Sequence, residues 1–186
     1  METIQNNKKE INLEQLVDGL KRVDGRNLQL TKSFKWIMLI MVPVYFIFFL
    51  INLIMEDICM KSFEFLFFSL AFLCFALLFI RLHKDYKSVD YGVSTVEMLT
   101  KAADRYKLWQ PKTYMTIVPV ILMCIGVSIG MNDIVPFPDQ TIRMVIVFAG
   151  YFAILCISFF VGYLIWRKQQ KPLRDKALAL LAEMKK

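Results

Sequence analysis

The stretch WIMLIMVPVYFIFFLINLIM, Trp36 to Met55, runs for a full membrane thickness without a formal charge, and three further runs repeat it. They are Phe63 to Ile80, Thr113 to Met131 and Met144 to Trp166, and Glu64 is the one charged residue in any of the four. At about 1.5 Å per residue each run matches a hydrocarbon core of roughly 30 Å, so each reads as one transmembrane helix. A mean hydropathy of +0.49, with 57% hydrophobic residues, excludes an ordinary water-soluble globule. The fold class expected is all-α: a polytopic membrane protein of four spans.

Charge orients it. Of 23 Lys and Arg residues, 21 lie in residues 1–35, Arg81 to Lys112 and Arg167 to Lys186, and only Lys61 and Arg143 lie elsewhere. The positive-inside rule then puts both termini and the central segment in the cytoplasm. The same basic segments would touch anionic lipid headgroups. They are spread too evenly for nucleic acid, which is not expected as a partner. A polar region of about 35 residues precedes the first run, and no small-residue cleavage pattern follows it, so it reads as a retained span rather than a signal peptide.

The expected organisation is a cytoplasmic amphipathic segment over 1–34, a first transmembrane hairpin over 35–81, a cytoplasmic connecting helix over 82–112, a second hairpin over 113–167 and a cytoplasmic C-terminal helix over 168–186. Shifted by 76 positions, Met41-Val42-Pro43-Val44 falls on Ile117-Val118-Pro119-Val120, and Met55-Glu56-Asp57-Ile58 on Met131-Asn132-Asp133-Ile134. The hairpins therefore read as a parallel repeat about an axis along the membrane normal. Pro43 and Pro119, in equivalent places, are expected to kink their helices.

Helix packing is expected at Gly126 and Gly130, at Ala149 and Ala153, and at Ser158 and Gly162, where four-residue spacing of small side chains lets backbones approach. The same seams suit a homo-oligomer. The first hairpin is instead crowded with Phe, as a lipid-facing or ring-packed wall. Glu64 and Arg143, each just inside the second span of its half, are paired in this reading as an outer ion pair.

Chemistry has no visible instrument. No ionisable group stands at mid-span, His83 is the only histidine, and no phosphate loop, nucleophile elbow or metal-ligand spacing occurs. Cys74, Cys124 and Cys156 lie in spans as small apolar groups, leaving Cys59 as the candidate for an intermolecular bridge. No enzyme activity, cofactor or metal is expected.

The cytoplasmic segments carry the remaining signal. Leu13, Leu16 and Leu20 begin one apolar stripe; Val93, Val96, Leu99, Ala103 and Tyr106 form another, with Ser94 and Glu97 placed for a capping box; Leu173 to Met184 form a third behind Pro172. These stripes are the expected docking surface for a cytoplasmic protein.

Tyr86-Lys87-Ser88-Val89-Asp90-Tyr91, Arg105-Tyr106-Lys107-Leu108-Trp109, Trp166-Arg167-Lys168 and Lys171-Pro172-Leu173-Arg174-Asp175 together resemble small four-span inner-membrane proteins of the Bacteroidetes type. Some of these are encoded beside alternative sigma factors. The resemblance implies a place in the bacterial inner membrane and membrane-linked regulation, such as tethering a transcription factor, and transfers no site residue. The function expected is thus a non-enzymatic membrane adaptor or regulator; the alternative is a small oligomeric transporter or channel.

Overall fold

The computed structural model describes residues 2–55, 62–131 and 139–184, and among them every regular element is a helix. In chain order these are α1 (Glu2–Met55), α2 (Ser62–Lys87), α3 (Thr95–Arg105), α4 (Pro111–Tyr114), α5 (Ile117–Gly130), α6 (Gln140–Ile165) and α7 (Lys171–Met184). Four stretches are long and apolar enough to cross a membrane: Leu13–Met55, Ser62–Lys87, Lys112–Gly130 and Thr141–Met184. Cys59, Pro138 and the matched turn residues Glu56-Asp57 and Asn132-Asp133 lie outside the described residues.

The helices form two compact units. The first unit takes the chain up to Leu30, Lys84–Gln110 and everything from Val161 onward. Its centre is Leu16, Leu20, Met98, Leu99, Ala102, Tyr106 and Ala177, flanked by Leu13, Val17, Val93, Leu173 and Leu180. These side chains come from α1, α3 and α7, whose apolar stripes meet one another. Burying stripes of this kind supplies most of the stability of helices that would be marginal alone.

α3 begins where the sequence signal places it, behind Ser94, whose hydroxyl accepts from the Glu97 backbone N–H at 3.4 Å. The reciprocal half of a capping box is missing, because the Glu97 carboxylate pairs instead with Lys101 Nζ at 2.7 Å. Since α3 starts only at Thr95, Val93 lies in the preceding loop. The buried face of α3 is Met98, Leu99, Ala102 and Ala103, while Val96 is 46% exposed. Gly19 has a packing role: a Cβ there would stand 2.9 Å from Leu173 Cδ2, so α1 and α7 approach closely at that turn.

Between α6 and α7 the helix widens into a π-turn over Trp166–Gln170, in which the Lys171 N–H reaches back to the Trp166 carbonyl. Pro172 follows directly. Having no N–H and a ring that crowds the preceding turn, it interrupts the regular ladder, and the wider turn absorbs the defect.

The second unit, Thr31–His83 with Pro111–Phe160, contains the apolar runs. Its first two helices are joined by rings. Tyr45 on α1 lies 5.4 Å from Phe68 and 5.1 Å from Phe72 on α2, and Phe34 stacks on Phe79 at 5.2 Å. Offset and tilted ring pairs of this kind add about 0.5–1.5 kcal/mol each beyond their buried area. Ser69 donates across to the Val42 carbonyl at 3.1 Å, whereas Ser128 turns back on its own helix at Cys124 O, 2.8 Å. Tyr151 on α6 donates to the Val120 carbonyl of α5 at 2.8 Å.

The two prolines are not equivalent. α1 continues through Pro43, but the helical path of the second half is interrupted at Met115 and Thr116. α5 starts afresh at Ile117, so Pro119 falls in its opening turn, where a missing N–H costs nothing, and is buried there. Only Pro43 is a helix-interior proline; a matched pair of kinks is not what these residues make.

Candidate functional site

Within the first unit, a carboxylate stands where the apolar stripe of α1 would put another leucine. Leu16, Leu20 and Asp24 follow each other at four-residue spacing, and Asp24 is 5% exposed. A buried carboxylate is tolerated only when its lone pairs are occupied. Here they are. Tyr106 donates its phenol to Oδ1 at 2.6 Å, Tyr91 donates to Oδ2 at 2.6 Å, and the Arg105 guanidinium makes an ion pair with Oδ2.

The surroundings extend the knot. Lys21 Nζ lies 5.7 Å from the centroid of the Tyr91 ring, and Asn27 donates to the Tyr86 hydroxyl at 3.4 Å. Trp166 Nε1 donates to the Tyr106 carbonyl at 2.9 Å, so the π-turn is fastened to the end of α3. Arg26 bonds Gln169 through its guanidinium. One residue of α1 thus ties together the loop before α3, the end of α3 and, through Tyr106, the start of the C-terminal segment.

Electrostatics keep the phenols protonated. Burial, followed by the hydrogen bond to Asp24 and its negative charge, pushes the Tyr91 and Tyr106 hydroxyls well above the ordinary tyrosine range. They act as permanent donors, and the arrangement leaves Asp24 with three charged or strongly polar partners. Chemically it is a clasp.

The expected docking residues are drawn into this unit. Leu16, Leu20, Leu99, Ala103 and Tyr106 are buried, and Leu13 and Val93 pack against the same cluster; Val96 alone among them faces outward to a large extent. The stripes therefore meet each other in this structure, and the surface around them is the outer side of α3 and α7, with Val96, Thr100, Lys101 and Leu178.

In the second unit, Gly126 and Gly130 of α5 press on the start of α2. A Cβ on Gly126 would stand 3.3 Å from the Glu64 carbonyl oxygen and from the Phe68 ring; one on Gly130 would stand 2.9 Å from Glu64 Cδ. Glu64 thereby lies on Gly130, and Arg143 is half-buried near the beginning of α6. Ala149, Ala153, Ser158 and Gly162 on α6 are exposed, and among the described residues nothing stands within 4 Å of a Cβ on Gly162.

Asp24 and Arg105 were not legible as a site from apolar spacing alone, although the acid interrupting the stripe at position 24 was the available signal. No protein family, curated protein or solved structure matches the chain.

Proposed function

We propose that the protein is a non-enzymatic integral membrane adaptor or regulator that presents the first unit to a cytoplasmic protein. The observation that carries the reading is the Asp24 clasp. It makes a self-contained helical module from three separate parts of a chain whose remaining helices are apolar enough for lipid. A module fastened this way gives a partner a fixed surface, and the outer side of α3 offers apolar Val96 beside Thr100 and Lys101, the combination of apolar and charged contacts that protein interfaces use.

The division of basic residues supports an orientation with both termini and the central segment in the cytoplasm, and the likeness to four-span bacterial proteins supports the inner membrane as the location. The likeness to four-span proteins encoded beside sigma factors adds regulation as the type of output. The internal match at Pro43 and Pro119 supports descent of the two hairpins from one duplicated hairpin, related by an axis along the membrane normal.

A second reading, a small oligomeric transporter or channel, is favoured by one feature: the outward Ala149, Ala153, Ser158 and Gly162 of α6 could receive another copy. A photocrosslinking amino acid at Val96, activated in native membranes, separates the two. The adaptor reading expects a discrete adduct with a cytosolic protein; adducts confined to a probe at Ala153, joining two copies of this chain, support the oligomer.

A further inference from the structure

α2 and the start of α5 enclose a groove of about 240 Å³ lined by Cys74, Leu77, Leu78, Arg81, Met115 and Val118. Cys74, Leu77, Leu78 and Arg81 recur at helical spacing, so one face of α2 forms a wall with a cation at its end. Val118 and Met115 form the opposite wall. Arg81 is the first charged residue after the apolar run that ends at Ile80, which sets it at the depth of lipid headgroups if α2 spans. Among the described residues its guanidinium has no carboxylate partner; its one polar contact is Met115 Sδ at 3.6 Å.

We infer that this groove binds one anionic phospholipid, with an acyl chain along Cys74, Leu77 and Val118 and the headgroup phosphate on Arg81. Two independent properties of the groove point to that class of ligand. Its walls are apolar, which gives a soluble anion no reason to enter. Its mouth carries a planar cation whose fork matches two phosphate oxygens. A zwitterionic lipid offers the same tail and phosphate but adds a cation beside Arg81, so the site discriminates by headgroup.

The test is native mass spectrometry of the full-length chain released from detergent after incubation with phosphatidylglycerol or phosphatidylcholine of identical acyl chains. The expected result is preferential retention of one phosphatidylglycerol, reduced about tenfold by Arg81→Gln, as loss of a charge-assisted contact predicts, and partly preserved by Arg81→Lys. Val118→Trp, which fills the groove without touching the charge, should lower retention of both lipids. In nanodiscs of the two lipids, maleimide labelling of wild-type Cys74, measured against Cys156 in the same molecule, should be several-fold slower in phosphatidylglycerol. This arm needs no variant and so stands even where a substitution impairs folding. Equal retention of the two lipids, insensitivity to Val118→Trp, displacement of the lipid by inorganic phosphate at millimolar concentration, or equal Cys74 labelling in both nanodiscs would overturn the assignment.

Discussion

Tyr106 donates its phenolic hydrogen to Asp24 Oδ1 at 2.6 Å, across 82 residues of sequence. The contact joins the end of α3 to the middle of α1 and, with Tyr91 and Arg105 on the other oxygen, turns three stretches of chain into one module.

Asp24→Ala should destabilise the first unit by about 3–5 kcal/mol, because it leaves the Arg105 guanidinium and two phenols facing a void. Tyr106→Phe removes one donor and should cost about 1–3 kcal/mol. Trp166 lies against Tyr106, so its emission, in a chain with Trp36 and Trp109 changed to Phe, reports the unfolding midpoint under urea.

Alkaline pH should loosen the same unit. The Tyr91 and Tyr106 phenols are held above their ordinary value of 10.0 in the folded state, so the stability they contribute is fully present below about pH 10. Above it, the unfolded chain ionises while the folded one does not, and that contribution is progressively lost. The Trp166 unfolding midpoint should fall from pH 10 upward, and less steeply in Tyr91→Phe with Tyr106→Phe.

Two glycine substitutions should have opposite signs. Gly126→Ala places a methyl group 3.3 Å from the Glu64 backbone carbonyl and the Phe68 ring and should cost about 1–3 kcal/mol. Gly25→Ala meets nothing within 4 Å on a helix and should stabilise by about 0.5–1 kcal/mol. Thermal melts of the two variants in one detergent provide the comparison.

The proposed orientation predicts that a reporter after Lys186 or near Asp85 is cytoplasmic and that a cysteine near Pro138 is labelled by an impermeant reagent once the outer membrane is permeabilised. Labelling at Pro138 only after lysis would reverse the orientation.

Much of the fold was readable because apolar run length and helix type are local properties. The four runs, the start of α3 at Ser94 and a helix after Pro172 all follow from neighbouring residues. What was hidden depends on distant ones. That the Leu16, Leu99 and Ala177 faces bury each other requires knowing that α1, α3 and α7 meet, and Asp24 gains meaning only from Tyr91, Arg105 and Tyr106. Pro119 was misplaced for a related reason: its ring crowds the Met115 carbonyl, and whether a chain kinks or restarts at such a proline is decided by packing against other helices, which here leaves a break at Met115 and Thr116. The Phe residues of the first hairpin divide between the two expected roles: Phe65, Phe68 and Phe72 pack around Tyr45, while Phe46, Phe48 and Phe63 are exposed, a division that composition leaves open.

The central claim is that the outer surface of the clasped unit does the protein's work. Its most direct test is crosslinked co-purification from native membranes, comparing wild type with Val96→Glu plus Lys101→Glu, which alter exposed positions, and with Ala153→Trp on α6. Leu99→Asp serves as the unfolded reference, since Leu99 is fully buried. The α3 surface variant is expected to insert and keep its Trp166 emission but to lose its cytosolic partner and cellular effect, while Ala153→Trp retains both. Loss of the cellular effect with Ala153→Trp, alongside an unaffected α3 variant, would contradict it and move the activity into the membrane helices.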